Sequence, residues 1–151
     1  MTLRKIARIL GLSAVIVCAS TVGAMAGVPA AAFTPINSTN GATMNNEGWV
    51  IWNSSTTSAA SVMAPFGESS GFAQTYTFYG FGNGGTLNCN IRLYDYTNHT
   101  LTDLPGSKSW TGHSTLQITF AGSSGKLYLV SARCELPAQN ASGPFYLYGV
   151  R

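Results

Sequence analysis

Thr86-Leu87-Asn88-Cys89-Asn90-Ile91-Arg92-Leu93-Tyr94 alternates polar and apolar side chains: Leu87, Cys89, Ile91 and Leu93 share one parity. A period of two places that set on one face of a half-buried strand. A second stretch, Lys126-Leu127-Tyr128-Leu129-Val130-Ser131-Ala132-Arg133-Cys134, carries apolar residues on both parities. This pattern predicts a central strand covered on both faces. Both stretches hold a cysteine, and the rest of the chain reads as strands wrapped around this pair.

Upstream of them, Arg4, Lys5 and Arg8 precede a mostly apolar, uncharged run and then Ala24-Met25-Ala26. A basic region, an apolar run and a small-x-small site are the parts of a secretory signal peptide. The expected division is therefore a signal peptide over 1–26, an arm or irregular edge over 27–46, and a β-domain over 47–151. The run is short for a membrane span, and no span is expected after cleavage. Beyond the leader, Arg92, Lys108, Lys126, Arg133 and Arg151 balance Glu47, Glu68, Asp95, Asp103 and Glu135. The basic character of the full chain thus comes from the leader. It points to no nucleic-acid or anionic-membrane partner. Export and cleavage would leave Cys89 and Cys134 as the remaining cysteines, and an oxidising compartment predicts a disulfide between them. No ligands at zinc spacing surround them.

Further strands are expected around Trp49-Val50-Ile51-Trp52, over 60–64, 72–79, 101–104, 116–120 and 145–150. Asn83-Gly84 lies between two strand-like runs. It predicts a tight hairpin that pairs 72–82 with 85–94. Pro105-Gly106 is expected to stop the strand before it. No helical period appears after the leader. Strands at regular intervals with turn chemistry between them indicate an all-β, two-sheet antiparallel β-sandwich, jelly-roll or Ig-like, of about eight strands.

Several motifs resemble chemistry. Gly67-Glu68-Ser69-Ser70-Gly71 fits the G-x-S-x-G elbow, which needs Ser69 on a turn between a strand and a helix. A strand, not a helix, is expected after it, so a Ser69 hydrolase is the remote reading. Gly80-Phe81-Gly82-Asn83-Gly84-Gly85 fits G-x-G-x-x-G, but no helix follows to hold a pyrophosphate. His99, His113, Asp95 and Asp103 match no metal-ligand spacing. The carboxylates are too scattered for a glycosidase pair. No cofactor, metal or catalytic residue is assigned.

Aromatic residues point elsewhere. Tyr94, Trp110, Tyr146 and Tyr148 are expected to face outward, near Asn88, Asn90 and Arg92. Flat rings stack on the C–H faces of sugars, while amides bond the hydroxyls; the same rings can equally cover a sheet. The function expected is a secreted or periplasmic, non-enzymatic module for surface glycans or proteins. A structural surface-coat component is the alternative.

The run from Leu87 to Asp95, the run from Leu116 to Phe120, Cys134-Glu135-Leu136-Pro137 and the closing Tyr148-Gly149-Val150 resemble a group of small, uncharacterised secreted bacterial proteins. These carry a signal peptide, a sandwich-like pattern and one cysteine pair. The resemblance implies the architecture and transfers no functional residue.

Overall fold

The computed structural model describes residues 27–36, 42–44, 48–70 and 72–151, with the side chains of 42–44 and Ser70 left out. The leader expected over 1–26 lies outside the described residues. The chain is all-β and antiparallel. Its strands are β1 (Val28–Pro29), β2 (Thr34–Pro35), β3 (Ala42–Met44), β4 (Ile51–Asn53), β5 (Ala60–Ser70), β6 (Gln74–Asp95), β7 (Thr100–Phe120), β8 (Leu127–Leu136) and β9 (Tyr146–Val150).

The long ribbon β6–β7 organises the sheet. It pairs from Asp95 opposite Thr100 to Gln74 opposite Phe120. The other edge of β6 is shared. Residues 88–95 pair with β8, and residues 78–81 pair with β9. One half of the molecule therefore runs β2-β5-β8-β6, and the other runs β6-β9-β4-β3, with β1 also on β9. The ribbon belongs to both halves and curls between them, giving a sandwich-like form.

The hairpin expected at Asn83-Gly84 does not form; β6 continues through it. Asn83 faces Thr111 and Thr86 faces Ser109, so three steps on β6 oppose two on β7. This is a bulge with one extra residue, which bends the strand. Gly84 (φ 93°) and Gly85 (φ 102°) take the left-handed region, whereas Asn83 does not. A type I′ turn needs positive φ at both central residues, Asn and Gly alike. The extra residue also shifts the parity. Tyr76 and Phe78 point inward before it, and Leu87, Cys89, Ile91 and Leu93 after it. Both halves of β6 thus present apolar faces to one core.

Pro105-Gly106 does not stop a strand either. The segments expected separately at 101–104 and 116–120 are parts of β7. Among the described strands β7 pairs only with β6. Proline, which lacks an N–H, is tolerated on such an edge. β5 likewise runs past Pro65, with a register shift between Pro65 and Gly67.

β8 is central, between β5 and β6, as expected. Its second face is not covered. Tyr128, Val130, Ala132, Cys134 and Leu136 are buried, whereas Leu127 and Leu129 are exposed. Cys89 and Cys134 sit directly opposite each other on β6 and β8 and are disulfide-bonded, with Cα atoms 4.1 Å apart.

The turn from β6 to β7 is built on Asp95, which is 5 % exposed. Its Oδ1 accepts from the backbone N–H of Thr97 (2.8 Å) and Asn98 (3.3 Å). Its Oδ2 accepts from Lys126 Nζ at 2.7 Å. His99 completes the turn with φ 53°.

Candidate functional site

The register of β4, β9, β6 and β7 gathers aromatic side chains on the outer face of one half. Tyr146 lies opposite both Trp52 and Phe81, and Phe81 lies opposite His113. Their rings form a row: Trp52–Tyr146 at 6.1 Å, Tyr146–Phe81 at 6.3 Å and Phe81–His113 at 4.9 Å. Tyr148 extends it, with its ring stacked on His113 at 6.0 Å and 24°. Rings in such offset and edge-to-face arrangements stabilise one another beyond their buried area.

Tyr148 stands out of the sheet for a local reason. Gly149 pairs with Tyr79 and Leu147 with Gly80, so Tyr148 is left without an opposite residue. Gly149 (φ 148°) is required beside it, because a Cβ there would lie 2.6 Å from the Val28 carbonyl oxygen. Among the described residues, three shallow depressions adjoin Tyr148. The first, of about 310 Å³, has Tyr79, Tyr148 and Arg151 on its wall. Two more flank the ring. One, of about 300 Å³, is lined by Tyr79, Gly80, His113, Ser114, Thr115 and Tyr148. The other, of about 420 Å³, is lined by Pro29, Ala31, Gly48, Trp49 and Tyr148. Trp49 is 73 % exposed, Tyr79 40 % and Tyr148 39 %. Among the described residues, no Asp, Glu, Lys or Arg lines either of these two depressions. The surface thus offers exposed ring faces, hydroxyls and an imidazole, without a fixed acid–base pair.

The four aromatics expected to form a site are dispersed. Tyr146 and Tyr148 lie on the face just described. Tyr94 lies on the outer face of the other half, edge-on to Tyr96 at 5.5 Å, with its Oη 3.0 Å from His99 Nδ1. Trp110 does not face outward: it is 1 % exposed and packs edge-to-face on Phe145 at 5.1 Å. Space for it comes from Gly82, where a Cβ would lie 2.8 Å from the Trp110 Cβ and 3.0 Å from the Phe145 ring. Gly80 does the same for Phe145 and the Tyr146 carbonyl. The glycines of the G-x-G-x-x-G run therefore serve packing and the bulge.

Sequence reasoning missed Trp49, Tyr79, Phe81 and His113 as members of one surface. The outward parity of Tyr79 was readable beside Phe78. Its proximity to Tyr148 and His113 depends on cross-strand register.

Ser69 is not on a strand-to-helix turn. It lies inside β5 opposite Tyr128, is 5 % exposed, and bonds the Tyr76 hydroxyl. Burial pushes that hydroxyl up to about 12, with the Ser69 bond opposing. Among the described residues, no three of His, Cys, Asp and Glu group as a metal site. No described helix is long and apolar enough to cross a membrane.

Fold and surface together define an all-β antiparallel module with an open aromatic face. No family model and no curated protein matches the chain. Among solved structures, it is similar to the Clostridium thermocellum N-terminal endo-1,4-β-D-xylanase 10B CBM22-1–GH10 modules complexed with xylohexaose. The TM-score is 0.50 and the identity 12 %, over 83 % of this chain and 27 % of that one. The likeness falls on the CBM22 carbohydrate-binding region and is one of fold.

Proposed function

We propose that this chain is a non-enzymatic, exported module that binds neutral glycans on the face formed by Tyr79, Tyr148, His113 and Trp49. The observation that carries the reading is the exposure of aromatic rings around two depressions that meet at Tyr148 and whose described lining carries no Asp, Glu, Lys or Arg. Sugar C–H faces pack on such rings, and the Thr115 hydroxyl and the His113 ring supply hydrogen bonds. Among the described residues neither of these two depressions is lined by Asp, Glu, Lys or Arg, and the third has Arg151 at its wall but no Asp or Glu, so a neutral polymer is the fitting ligand. The fold likeness to a carbohydrate-binding region supports the same reading.

The test is a polysaccharide pull-down and glycan array with wild type and Tyr79→Ala/Tyr148→Ala, both checked for folding by circular dichroism. Binding by wild type and its loss in the double variant is the expected result. Folded wild type that binds no neutral glycan overturns the reading. Self-association in its place would favour a structural coat component.

A further inference from the structure

The outer face of the other half carries a depression of a different character, about 240 Å³ in size and lined by Asn88, Asn90, Arg133 and Glu135. Asn88 lies opposite Glu135 and Asn90 opposite Arg133, on β6 and β8. The pair between them is Cys89–Cys134, whose side chains point inward and are bonded. The disulfide therefore cross-links the two strands directly beneath this depression and holds its floor rigid. Binding groups on such a floor keep their backbone spacing, so that only their side chains are ordered on binding.

The four side chains differ in how far they are already satisfied. Asn88 Oδ1 accepts from Ser107 Oγ at 2.7 Å, which turns the Asn88 amide N–H groups toward other partners. Nearby Arg92 is paired with Asp103: its Nε and Nη2 donate to the carboxylate at 2.7 Å and 3.2 Å. Among the described residues, Arg133 makes no direct ion pair, although its charge reaches the Asp103 carboxylate, and the side chains of Asn90 and Glu135 have no hydrogen-bond partner. A guanidinium binds a carboxylate in a two-point, charge-assisted arrangement. Glu135 accepts hydrogen bonds from hydroxyls and repels a second negative charge. The amides of Asn88 and Asn90 serve either kind of group.

We propose that this depression is a second carbohydrate site, for a sugar that carries one carboxylate, of the uronic acid class. Arg133 holds the carboxylate, Asn88 and Asn90 bond the ring hydroxyls, and Glu135 accepts from a neighbouring hydroxyl. Glu135 also disfavours phosphorylated and sulfated polyanions. The site lies on the other half of the molecule and does not depend on the aromatic face.

The test is titration of ¹⁵N-labelled protein with a glucuronic acid oligosaccharide and with a neutral glucose oligosaccharide, followed by NMR. The acidic sugar should shift the side-chain amides of Asn88 and Asn90 and the Arg133 Nε–H, with affinity falling as salt rises. Arg133→Gln should weaken it by about tenfold or more, as expected for loss of a charge-assisted bond. Asn90→Ala should weaken it less, and Tyr148→Ala should leave it unchanged. No shift at millimolar glucuronate, equal binding by folded Arg133→Gln, or equal shifts at this site with the neutral sugar would overturn the proposal. Glucuronate binding here with no neutral glycan bound at Tyr148 would remove only the reading of the aromatic face.

Discussion

Gly106 and Ile118 belong to the same strand, β7, yet they meet across the core. A Cβ on Gly106 would lie 2.6 Å from Ile118 Cγ1 and 2.8 Å from its Cδ1. The strand curls far enough that its two halves face one another. Gly106→Ala should therefore force this contact apart and destabilise the protein by about 1–3 kcal/mol, the usual cost of overpacking. Urea denaturation of the variant measures it. An unchanged midpoint would show that the two halves of β7 are not in contact.

Removal of the cross-link should also cost stability. Cys89 and Cys134 are 45 positions apart in sequence. Cys134→Ser should lower stability by roughly 2–5 kcal/mol, as for other native disulfides in small domains. Reduced wild type should fall to a similar value. A free-thiol assay on the non-reduced, denatured protein should find neither cysteine reactive.

Trp110 should behave as a core residue, not as a ligand contact. Its truncation to Ala empties a site bounded by Phe145 and Gly82, and a loss of about 3–5 kcal/mol is expected. Thermal unfolding reads this directly. A variant as stable as wild type would contradict the burial.

Acid should weaken the turn before β7. The Lys126 ammonium, with the backbone N–H groups of Thr97 and Asn98, holds the Asp95 carboxyl below its usual range, although burial opposes this. A carboxyl more acidic when folded than when unfolded contributes fully above its unfolded value. It loses that contribution as pH falls from about 3.9 through the folded value. Denaturant midpoints of wild type should therefore fall more steeply below about pH 4 than those of Asp95→Asn. Tyr76 works in the opposite direction. Burial raises it to about 12, so its contribution is complete below about pH 10 and is lost as pH rises through the folded value. Tyr76→Phe should flatten that alkaline loss.

Export makes a prediction in mass. If residues 1–26 are a signal peptide, the secreted form begins at Gly27. Intact-mass spectrometry of that form checks it. A secreted product that retains the leader would refute the assignment.

The strand class and the inward set were legible in the sequence because alternation is a local property. Leu87, Cys89, Ile91 and Leu93 could take only one face if that stretch was extended. The opposite parity of Tyr146 and Tyr148 to Phe145 and Leu147 was legible for the same reason. The course of the chain at Asn83-Gly84 was not. Glycine permits positive φ in a turn or in a bulge alike. The outcome rests on contacts distant in sequence, among them Asn83 Nδ2 to the Ser142 carbonyl at 2.8 Å and Asn140 Nδ2 to the Asn83 carbonyl at 2.9 Å. Trp110 was equally undecided, because it lies within a polar run and its direction follows from the curl of β7 and the space left by Gly82. The aromatic surface needed both alternation and register. Parity says which rings leave the core, but only strand pairing says which of them meet. Register arises from the packing of the whole sheet, and no stretch of the chain carries it alone.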